Sequence, residues 1–359
     1  MSKPTGRRVT IGDIARASKT SVSTVSLVLR SKPGIGLVTR RRVLEAARAL
    51  GYQRQAPAPI SPGQGTLNIG LILRARARSR DVALPIVNPF YSWVVAGIDA
   101  AARQQRHNLL YASLPVGHDN RPLELPSHLL GQKLDGVLLV GAFGDDTINE
   151  IGAGCSAPVV LVDAPAGTHA YDAVVSDNEG GAYEAVLHLI KQGHQHIALV
   201  APPPPTDPVF RQRRAGYLRA LDEAGLQPHI FDDVPTPDET SAATSALLER
   251  HPQTTAVFGS NDSFAIAVVR GARALDRRVP EDLSVVGFDD IEISGQTAPP
   301  LTTMAVDKLS MGILGLQLLS HRLAWPDAAT TLITLRPRLI ERQSTAARTL
   351  PHRSGDTPG

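Results

Sequence analysis

The sequence has one cysteine, few aromatic residues and no long apolar run. Because Cys155 stands alone among 359 residues, an intramolecular disulfide framework is excluded, and we expect its thiol to fill apolar space. No apolar stretch approaches the roughly 20 residues that a membrane-spanning helix needs. The chain also opens without a charged and then apolar leader. These absences predict a cytoplasmic protein with no membrane partner.

The usual signatures of catalysis and metal binding are missing as well. The sequence contains no P-loop, no glycine-rich dinucleotide fingerprint after its first predicted strand and no nucleophile elbow. His194 and His196 fall between a predicted helix and a predicted strand, where an exposed turn explains them better than a metal does. We therefore expect no enzymatic activity, no cofactor and no metal.

The composition is that of a folded protein with more than one domain. Hydrophobic residues make up 42% of the chain and charged residues 20%, which is typical of globular domains rather than of disorder. A chain of this length exceeds what one compact core usually serves. We expect two or three domains.

Positive charge is concentrated at the N-terminus. Residues 1–55 carry twelve Lys and Arg residues against Asp13 and Glu45, a local charge of +10, whereas the rest of the chain carries −7. A charge run alone is often only a solvated face. Concentrated on a small module, however, it suits a polyanion, because each neutralised phosphate releases condensed counterions.

Three short helices are predicted within this basic segment. Thr10 is placed to cap the first helix, and Ser21 to cap a second that ends at about Arg30. Thr39 is placed to cap a third, which ends near Leu50. Two short helices joined by a tight turn match the helix-turn-helix spacing, and the alternative is a small helical bundle for protein contact. The residues predicted to form its core are Ile11, Ile14, Ala15, Ser18, Val22, Val25, Val28, Leu29, Val43, Leu44, Ala47 and Leu50.

Several spaced blocks of this segment carry a resemblance to a known family. They are residues 9–15 (VTIGDIA), 21–29 (SVSTVSLVL), 39–43 (TRRRV) and 49–52 (ALGY). Together they resemble the headpiece of the lactose/galactose repressor (LacI/GalR) family. The resemblance implies that the helix from Ser21 enters the major groove of a pseudo-palindromic operator, with base-reading side chains at Val22, Ser23 and Leu27. The residues assigned to DNA contact are Thr10, Ser21, Val22, Ser23, Thr24, Ser26, Leu27 and Arg40.

The chemistry of these positions points to phosphate rather than base recognition. Val and Leu can touch a thymine methyl group, but they lack the bidentate hydrogen bonds with which Arg, Asn or Gln discriminate bases. The pattern places Arg40 and the two arginines after it in the first turn of the third helix, where the helix dipole disfavours cations, so phosphate contact explains them better. The sequence predicts a steep dependence of DNA binding on salt.

The segment of residues 56–66 departs from the family's pattern. The family has a short hinge helix here that inserts a leucine into the minor groove, and that leucine falls on Ser61. Three prolines, Pro57, Pro59 and Pro62, oppose a helix, so we predict a semi-rigid spacer. A second interpretation makes Ile60 an apolar wedge that enters the minor groove from a non-helical arm.

From residue 67 onward, short apolar runs alternate with longer amphipathic segments. This alternation predicts an α/β fold with parallel sheets in two doubly wound lobes, which bind ligands at the carboxyl ends of their strands. Predicted strands occupy residues 67–73, 136–140, 159–162, 173–175, 196–200, 256–258 and 284–288. Predicted helices occupy residues 91–106, 145–152, 179–192, 212–224, 241–250 and 263–275.

The predicted organisation has four parts. A helix-turn-helix domain spans residues 1–55 and the linker residues 56–66. An effector-binding and dimerisation domain spans residues 67–343, with lobes at about 67–175 and 176–305 and returning segments to 343. Residues 344–359 are predicted to be a disordered tail, and without leucine heptads nothing in them specifies a tetramer.

The family resemblance continues to about residue 345 and implies an α/β domain similar to periplasmic sugar-binding proteins, with an effector between its lobes. Its motifs include residues 88–91 (NPFY), 213–217 (RRAGY), 260–262 (SND) and 285–290 (VVGFDD). Carried over by position, Arg213, Asn261 and Asp289 contact the effector and Asp163 lines the cleft. Their donors and acceptors suit the hydroxyl groups of a sugar. Phe90 and Tyr91, or Phe264, are candidates to stack on it. The alternative for Arg213 is a structural ion pair across the lobes.

An arginine-rich stretch, residues 74–80, departs from the family. If extended, its alternation would put four guanidinium groups on one side, near the mouth of the cleft, and would favour an anionic effector. A flexible solvated loop is the favoured prediction.

Three functions remain open on the sequence alone. The favoured one is a homodimeric, effector-responsive transcription regulator, most simply a repressor of its operator. A solute-binding protein for sugar transport fits the large domain but not the basic headpiece. An enzyme on a doubly wound fold lacks its motifs.

Overall fold

The computed structural model describes residues 11–21, 24–25, 28, 36–50, 65–79, 82–83, 89–117, 121–126, 131–164, 171–203, 207–232 and 237–348. The chain divides into two compact units, one within residues 1–64 and one from residue 65 onward. In the described part of the chain, no helix combines the length and the apolar character needed to cross a bilayer.

The first unit is a small helical module. Helix α1 spans Ile11–Ala17 and α2 spans Leu37–Ala49. Between them the Oγ of Ser21 accepts a hydrogen bond from the backbone N–H of Thr24 at 3.0 Å, as predicted for a capping residue. Helix α2 begins two residues before Thr39, so the predicted cap is wrong. The buried apolar core consists of Ile14, Ala15, Val25, Val28, Val43 and Ala47.

Two predicted members of this core lie elsewhere. Leu44 and Leu50 are exposed, because Leu44 is rotated by about 100° from Val43 around the helix and Leu50 follows the last residue of α2. The starting point of α2 also places Arg41 and Arg42 beyond the first turn, as exposed side chains. The helix dipole acts mainly on the first turn, so it gives less reason to assign Arg41 and Arg42 to phosphate contact.

The first lobe of the large unit is a seven-stranded sheet. Its strands are β1 (Asn68–Ser79), β2 (Val82–Ala83), β3 (Asn108–Val116), β4 (Gly136–Val140), β5 (Val159–Val162), β6 (Asp172–Ser176) and β12 (Leu332–Leu335). They run in the order β12-β6-β5-β4-β1-β2, and β3 also pairs with β1. All pairings are parallel except β1 with β2. Among the described residues, the helices of this lobe are α3 (Pro89–Gln105), α4 (Asp145–Gly154) and α9 (Lys308–Ala324).

The second lobe is a six-stranded sheet in the order β13-β11-β10-β9-β7-β8. Its strands are β7 (Ile197–Val200), β8 (His229–Phe231), β9 (Ala256–Gly259), β10 (Ser284–Asp289), β11 (Thr302–Ala305) and β13 (Arg338–Ile340). Only the β11–β13 pairing is antiparallel. Its helices are α5 (Asn178–Lys191), α6 (Pro208–Glu223), α7 (Pro237–Arg250) and α8 (Asp262–Arg273), and a 3-10 turn spans Glu292–Gly295.

The chain crosses between the described lobes three times, from β6 to α5, from β11 to α9 and from β12 to β13. At the first and third crossings the backbone N–H of Asp177 donates to the carbonyl of Leu335 at 2.8 Å. Helix α9 packs on α3 and on the first sheet, so it belongs to the first lobe although it follows a strand of the second.

Strand β1 corrects one prediction. The arginine-rich stretch was expected to begin a flexible loop, but β1 runs on to Ser79 and pairs with β3 as far as Arg76. Pairing with β3 as far as Arg76, and with β2 at Ala77 and Ser79, supplies hydrogen bonds to a backbone that a loop would leave to water. Arg80 lies outside the described residues.

Two further predictions, an exposed turn at His194 and a disordered tail from residue 344, are wrong. His194 is buried, not exposed, and its ring nitrogens bond the hydroxyls of Thr255 and Ser284, each at 3.0 Å. The predicted tail begins too early, because Ser344 is fully buried and its backbone carbonyl accepts from the N–H of Val285 at 2.7 Å. A carbonyl and a hydroxyl that pair with the sheet keep this segment in place.

Candidate functional site

The polar side chains predicted for the site collect where parallel strands of the two lobes end. Asp163 follows β5 of the first lobe, whereas Asn261 follows β9 and Asp289 ends β10 of the second. The hydroxyl of Tyr91 donates to Asp163, the ring centre of the adjacent Phe90 lies 5.8 Å from the ammonium of Lys308, and this ammonium donates to the carbonyl of Asp289. The two strand ends therefore lie near one another. The structure therefore brings these four predicted residues together.

Arg213 lies on α6 and is almost fully buried. Its Nε donates to the Oδ1 of Asn178 at 2.9 Å, its Nη1 to the carbonyl of Ser260 at 2.7 Å and its Nη2 to the Oδ1 of Asp289 at 2.8 Å. The guanidinium also lies 3.8 Å from the ring centre of Phe288. Three acceptors and one ring face fix its plane. The ion pair with Asp289 joins two elements of one lobe, which corrects the alternative of a pair across the lobes.

Asp289 and its neighbour Asp290 follow one another in unusual backbone conformations, with φ of 109° and 52°. Burial raises the pKa of Asp289, and the charge of Arg213 opposes the rise. The ammonium of Lys308, a residue that sequence reasoning missed, donates to the carbonyls of both aspartates.

Asn261 has a double role. Its side chain is the N-cap of α8 and its Oδ1 accepts from the N–H of Phe264 at 3.0 Å. With the oxygen committed to the helix, the side-chain amide N–H groups are its donors toward a ligand. Phe264 itself is buried in the core of the second lobe, edge-on to Phe210, and does not lie in place as a stacking surface.

The first lobe contributes two rings and a carboxyl group. Phe90 and Tyr91, in the first turn of α3, are buried in edge-to-face contact, with ring centres 5.2 Å apart. The hydroxyl of Tyr91 donates to the Oδ2 of Asp163 at 2.9 Å. Burial raises the pKa of Asp163 to about 7, although the bond from Tyr91 and the charge of Arg213 lower it. Asp163 has a φ of 58°.

One ion pair spans the cleft. Arg74, in the middle of β1 and just beyond its last pairing with β4, lies with its Nη2 3.6 Å from the Oδ2 of Asp207, the N-cap residue of α6. Both side chains are mostly buried. Sequence reasoning did not identify Asn178, Asp207 or Lys308 as site residues. They contact Arg213, Arg74 and Asp289, which lie far from them along the chain, only because the chain folds.

Among the predicted DNA contacts, the structure describes Ser21 and Thr24, whose hydroxyls lie 2.8 Å apart, and the backbone of Arg40 in α2. The others, Thr10, Val22, Ser23, Ser26, Leu27 and Ile60, lie outside the described residues. Across the described ranges there is no group of three or more His, Cys, Asp or Glu residues that could hold a metal ion.

Comparisons with known proteins agree with this architecture. A family model for "Bacterial regulatory proteins, lacI family" matches residues 10–55, and one for a "Periplasmic binding protein-like domain" matches residues 186–345. Catabolite control protein A of Priestia megaterium is 30% identical over 342 residues, which cover 94% of this chain and 99% of that protein.

Solved structures match over the same length. A complex of the transcriptional regulator CelR with cellobiose has a TM-score of 0.66 at 29% identity and covers 94% of this chain and 100% of its own. A lac repressor dimer bound to operator and the anti-inducer ONPF has a TM-score of 0.66 at 27% identity, over 95% of this chain and 100% of its own.

A helical headpiece followed by a two-lobed domain of the periplasmic-binding-protein type defines a ligand-responsive, DNA-binding transcription regulator. The predicted fold class and the predicted resemblance are confirmed. The chain belongs to the LacI family of bacterial regulatory proteins.

Proposed function

We propose that the chain is a homodimeric repressor whose effector is a small sugar or polyol held between the two lobes. Arg213, Asn261 and Asp289 bind its hydroxyl groups from the second lobe, and Asp163 does so from the first. The observation that carries this proposal is the buried pair of Arg213 and Asp289, placed at a strand end that lies near Asp163. Phe90 and Tyr91 supply the apolar wall against which a sugar ring packs.

The charge balance of the cleft favours an uncharged effector. Arg213 already pairs with Asp289, Lys308 with backbone carbonyls, and Arg74 lies beside Asp207. A hydroxyl group joins such a network as donor and acceptor at once, whereas a phosphate or carboxylate competes with carboxylates already present. The relative CelR was solved with cellobiose, a neutral sugar.

The test for the effector is a thermal-shift panel on the full chain. Cellobiose, ribose and glucose are the neutral members, and glucuronate and glucose 6-phosphate are the charged counterparts of glucose. At a concentration 100 times its dissociation constant, a sugar that binds only the folded state adds about 2.7 kcal/mol of stability. We expect one neutral sugar or more to raise the melting temperature.

Asp289→Asn is the variant that tests the site. It keeps the shape of the side chain but removes the charge that faces Arg213, and we expect it to weaken binding of the same sugar roughly tenfold or more. Asp282→Asn is the matched control, because Asp282 pairs with Arg278 at the surface of the same lobe. Equal binding by both variants would remove the assigned site, and a response to charged sugars alone would remove the proposed effector class.

The regulatory step is tested on DNA. We expect the chain to bind a pseudo-palindromic operator as a dimer and the bound sugar to weaken that binding. Each phosphate contact contributes about 0.9 to the slope of log affinity against log salt, so the basic headpiece predicts a steep slope. Operator binding followed by fluorescence anisotropy, at several salt concentrations and with and without the sugar, measures both quantities. A flat slope contradicts the phosphate-weighted headpiece, and an unchanged affinity contradicts the sugar's role as inducer.

A further inference from the structure

Asp289, the last residue of β10, and Asp290 after it have backbone conformations that side chains rarely adopt. Asp289 has a φ of 109° and Asp290 a φ of 52°. Residues other than glycine hold such conformations only where surrounding contacts compensate for the strain. Asp290 is bound on one side by Arg342, whose Nη2 donates to its Oδ1 at 2.7 Å. Asp289 pairs with Arg213 through its carboxylate.

The backbone of this strained turn is bound by Lys308. Its ammonium donates to the carbonyl of Asp289 at 2.5 Å, of Asp290 at 3.0 Å and of Val306 at 3.3 Å. The side chain is buried, and the nitrogen lies 5.8 Å from the ring centre of Phe90. Burial lowers the pKa of Lys308, and the charge of Asp289 raises it. An ammonium has three donors, and three carbonyls account for them.

Lys308 is also the first residue of α9, directly after the second crossing between the lobes. Helix α9 packs on α3 and on the first sheet, so Lys308 begins a helix of the first lobe. The carbonyls of Asp289 and Asp290 belong to the second lobe. A change in the angle between the lobes therefore alters the distance between the ammonium and these carbonyls.

We propose that Lys308 is a positioning residue that couples the arrangement of the lobes to the geometry of Asp289. In the lobe arrangement seen here, the ammonium stabilises the strained turn and so presents the Asp289 carboxylate to the effector. When the lobes separate at this crossing, the turn loses that support and Asp289 binds the effector less well. By linkage, an effector held by Asp289 favours the present arrangement. This inference rests on the proposed function through the role given to Asp289.

The first measurement needs no ligand. Lys308→Met keeps most of the side-chain volume and removes the donors, Lys308→Arg keeps charge and donors, and Lys191→Met is the control at an exposed lysine in the last turn of α5. Hydrogen exchange of the full-length chain is followed over residues 289–295. We expect exchange there to become roughly tenfold faster in Lys308→Met. In Lys308→Arg and Lys191→Met it should stay within about twofold of the unchanged chain. Unaltered exchange in Lys308→Met overturns the proposal.

The second measurement separates positioning from a merely structural role. The probe is the neutral sugar with the largest shift in the panel of cellobiose, ribose and glucose. Lys308→Met should weaken its binding roughly tenfold in the unchanged chain but by less than about twofold in an Asp289→Asn background, because Lys308 acts through Asp289. Equal losses in both backgrounds overturn the proposal. If no panel sugar binds, the proposed effector class fails, while the exchange of residues 289–295 still decides the role of Lys308.

Discussion

Replacing Arg213 with methionine should destabilise the chain in a way that depends on pH. The ion pair with Asp289 leaves only 4% and 11% of the two side chains exposed. Removing one partner of a buried pair leaves an uncompensated charge and costs about 3–5 kcal/mol. The folded chain can avoid that cost by protonating Asp289. From a reference carboxyl pKa of about 3.9, protonation costs roughly 4.2 kcal/mol at pH 7 and 1.5 kcal/mol at pH 5.

The sign follows from proton linkage. In Arg213→Met the pKa of Asp289 rises further above its unfolded value, so the folded state binds a proton that the unfolded state lacks. The free energy of unfolding therefore falls as pH rises above about 3.9, and the destabilisation relative to the unchanged chain should be larger at pH 7 than at pH 5 by at most about 2.7 kcal/mol.

Urea unfolding followed by circular dichroism at the two pH values measures this difference. Arg219→Met is the control on the same helix, because Arg219 pairs with Glu179 at the surface with 44% and 45% exposure, where an ion pair contributes about 0–1 kcal/mol. Adding Asp289→Asn to Arg213→Met should remove the pH-dependent part. A destabilisation that is the same at pH 5 and pH 7, or that survives this second substitution, refutes the reasoning.

Two further substitutions test the packing of the large unit. Burial lowers the pKa of His194, so the unfolded chain binds a proton here more readily than the folded chain does. Through this group the free energy of unfolding should fall by up to about 1.4 kcal/mol for each pH unit below about 6.5. Calorimetry from pH 5 to 8 should show that stability depends less on pH in His194→Leu than in the unchanged chain. Gly312→Ala would put a Cβ 2.0 Å from the carbonyl oxygen of Val94 and should cost about 2 kcal/mol or more in thermal unfolding, whereas Gly144→Ala, with no atom within 4 Å of its Cβ, should change little.

The best-predicted elements are those whose apolar pattern can be recognised from a few neighbouring residues. The short apolar runs of β4 and β5 have the predicted bounds, because both faces of these central strands are buried and turn residues flank them. Strand β3 was missed because its half-buried pattern resembles neither an apolar run nor a clean alternation. Helix α9 was missed because it contains glycines, which lower helix propensity. Gly97 and Gly312 allow α3 and α9 to pack with their backbones in contact.

The structure brings two predicted site residues, Arg213 and Asp289, into contact, whereas the residues that support them were not predicted. Arg213 and Asp289 were found from motifs that lie close to them in the sequence. Their supports were not, because Asn178 lies 35 residues from Arg213 and Lys308 lies 19 residues from Asp289 along the chain. Asn178 and Lys308 each begin a helix that follows a crossing between the lobes. From the sequence, a polar residue at a helix start is expected to be exposed to solvent, whereas here the crossings bury both beside the cleft.

The backbone at the cleft would suit glycine, yet an aspartate follows β5 and another ends β10. Asp163 and Asp289 both have positive φ, a conformation that glycine would adopt without strain. Aspartate tolerates it better than most residues, yet each such position still costs on the order of 1–3 kcal/mol. Glycine would remove the strain and also the carboxylate. Strain at both strand ends is therefore the cost of putting a carboxylate where the lobes meet, and the bonds from Tyr91, Arg213 and Lys308 offset it.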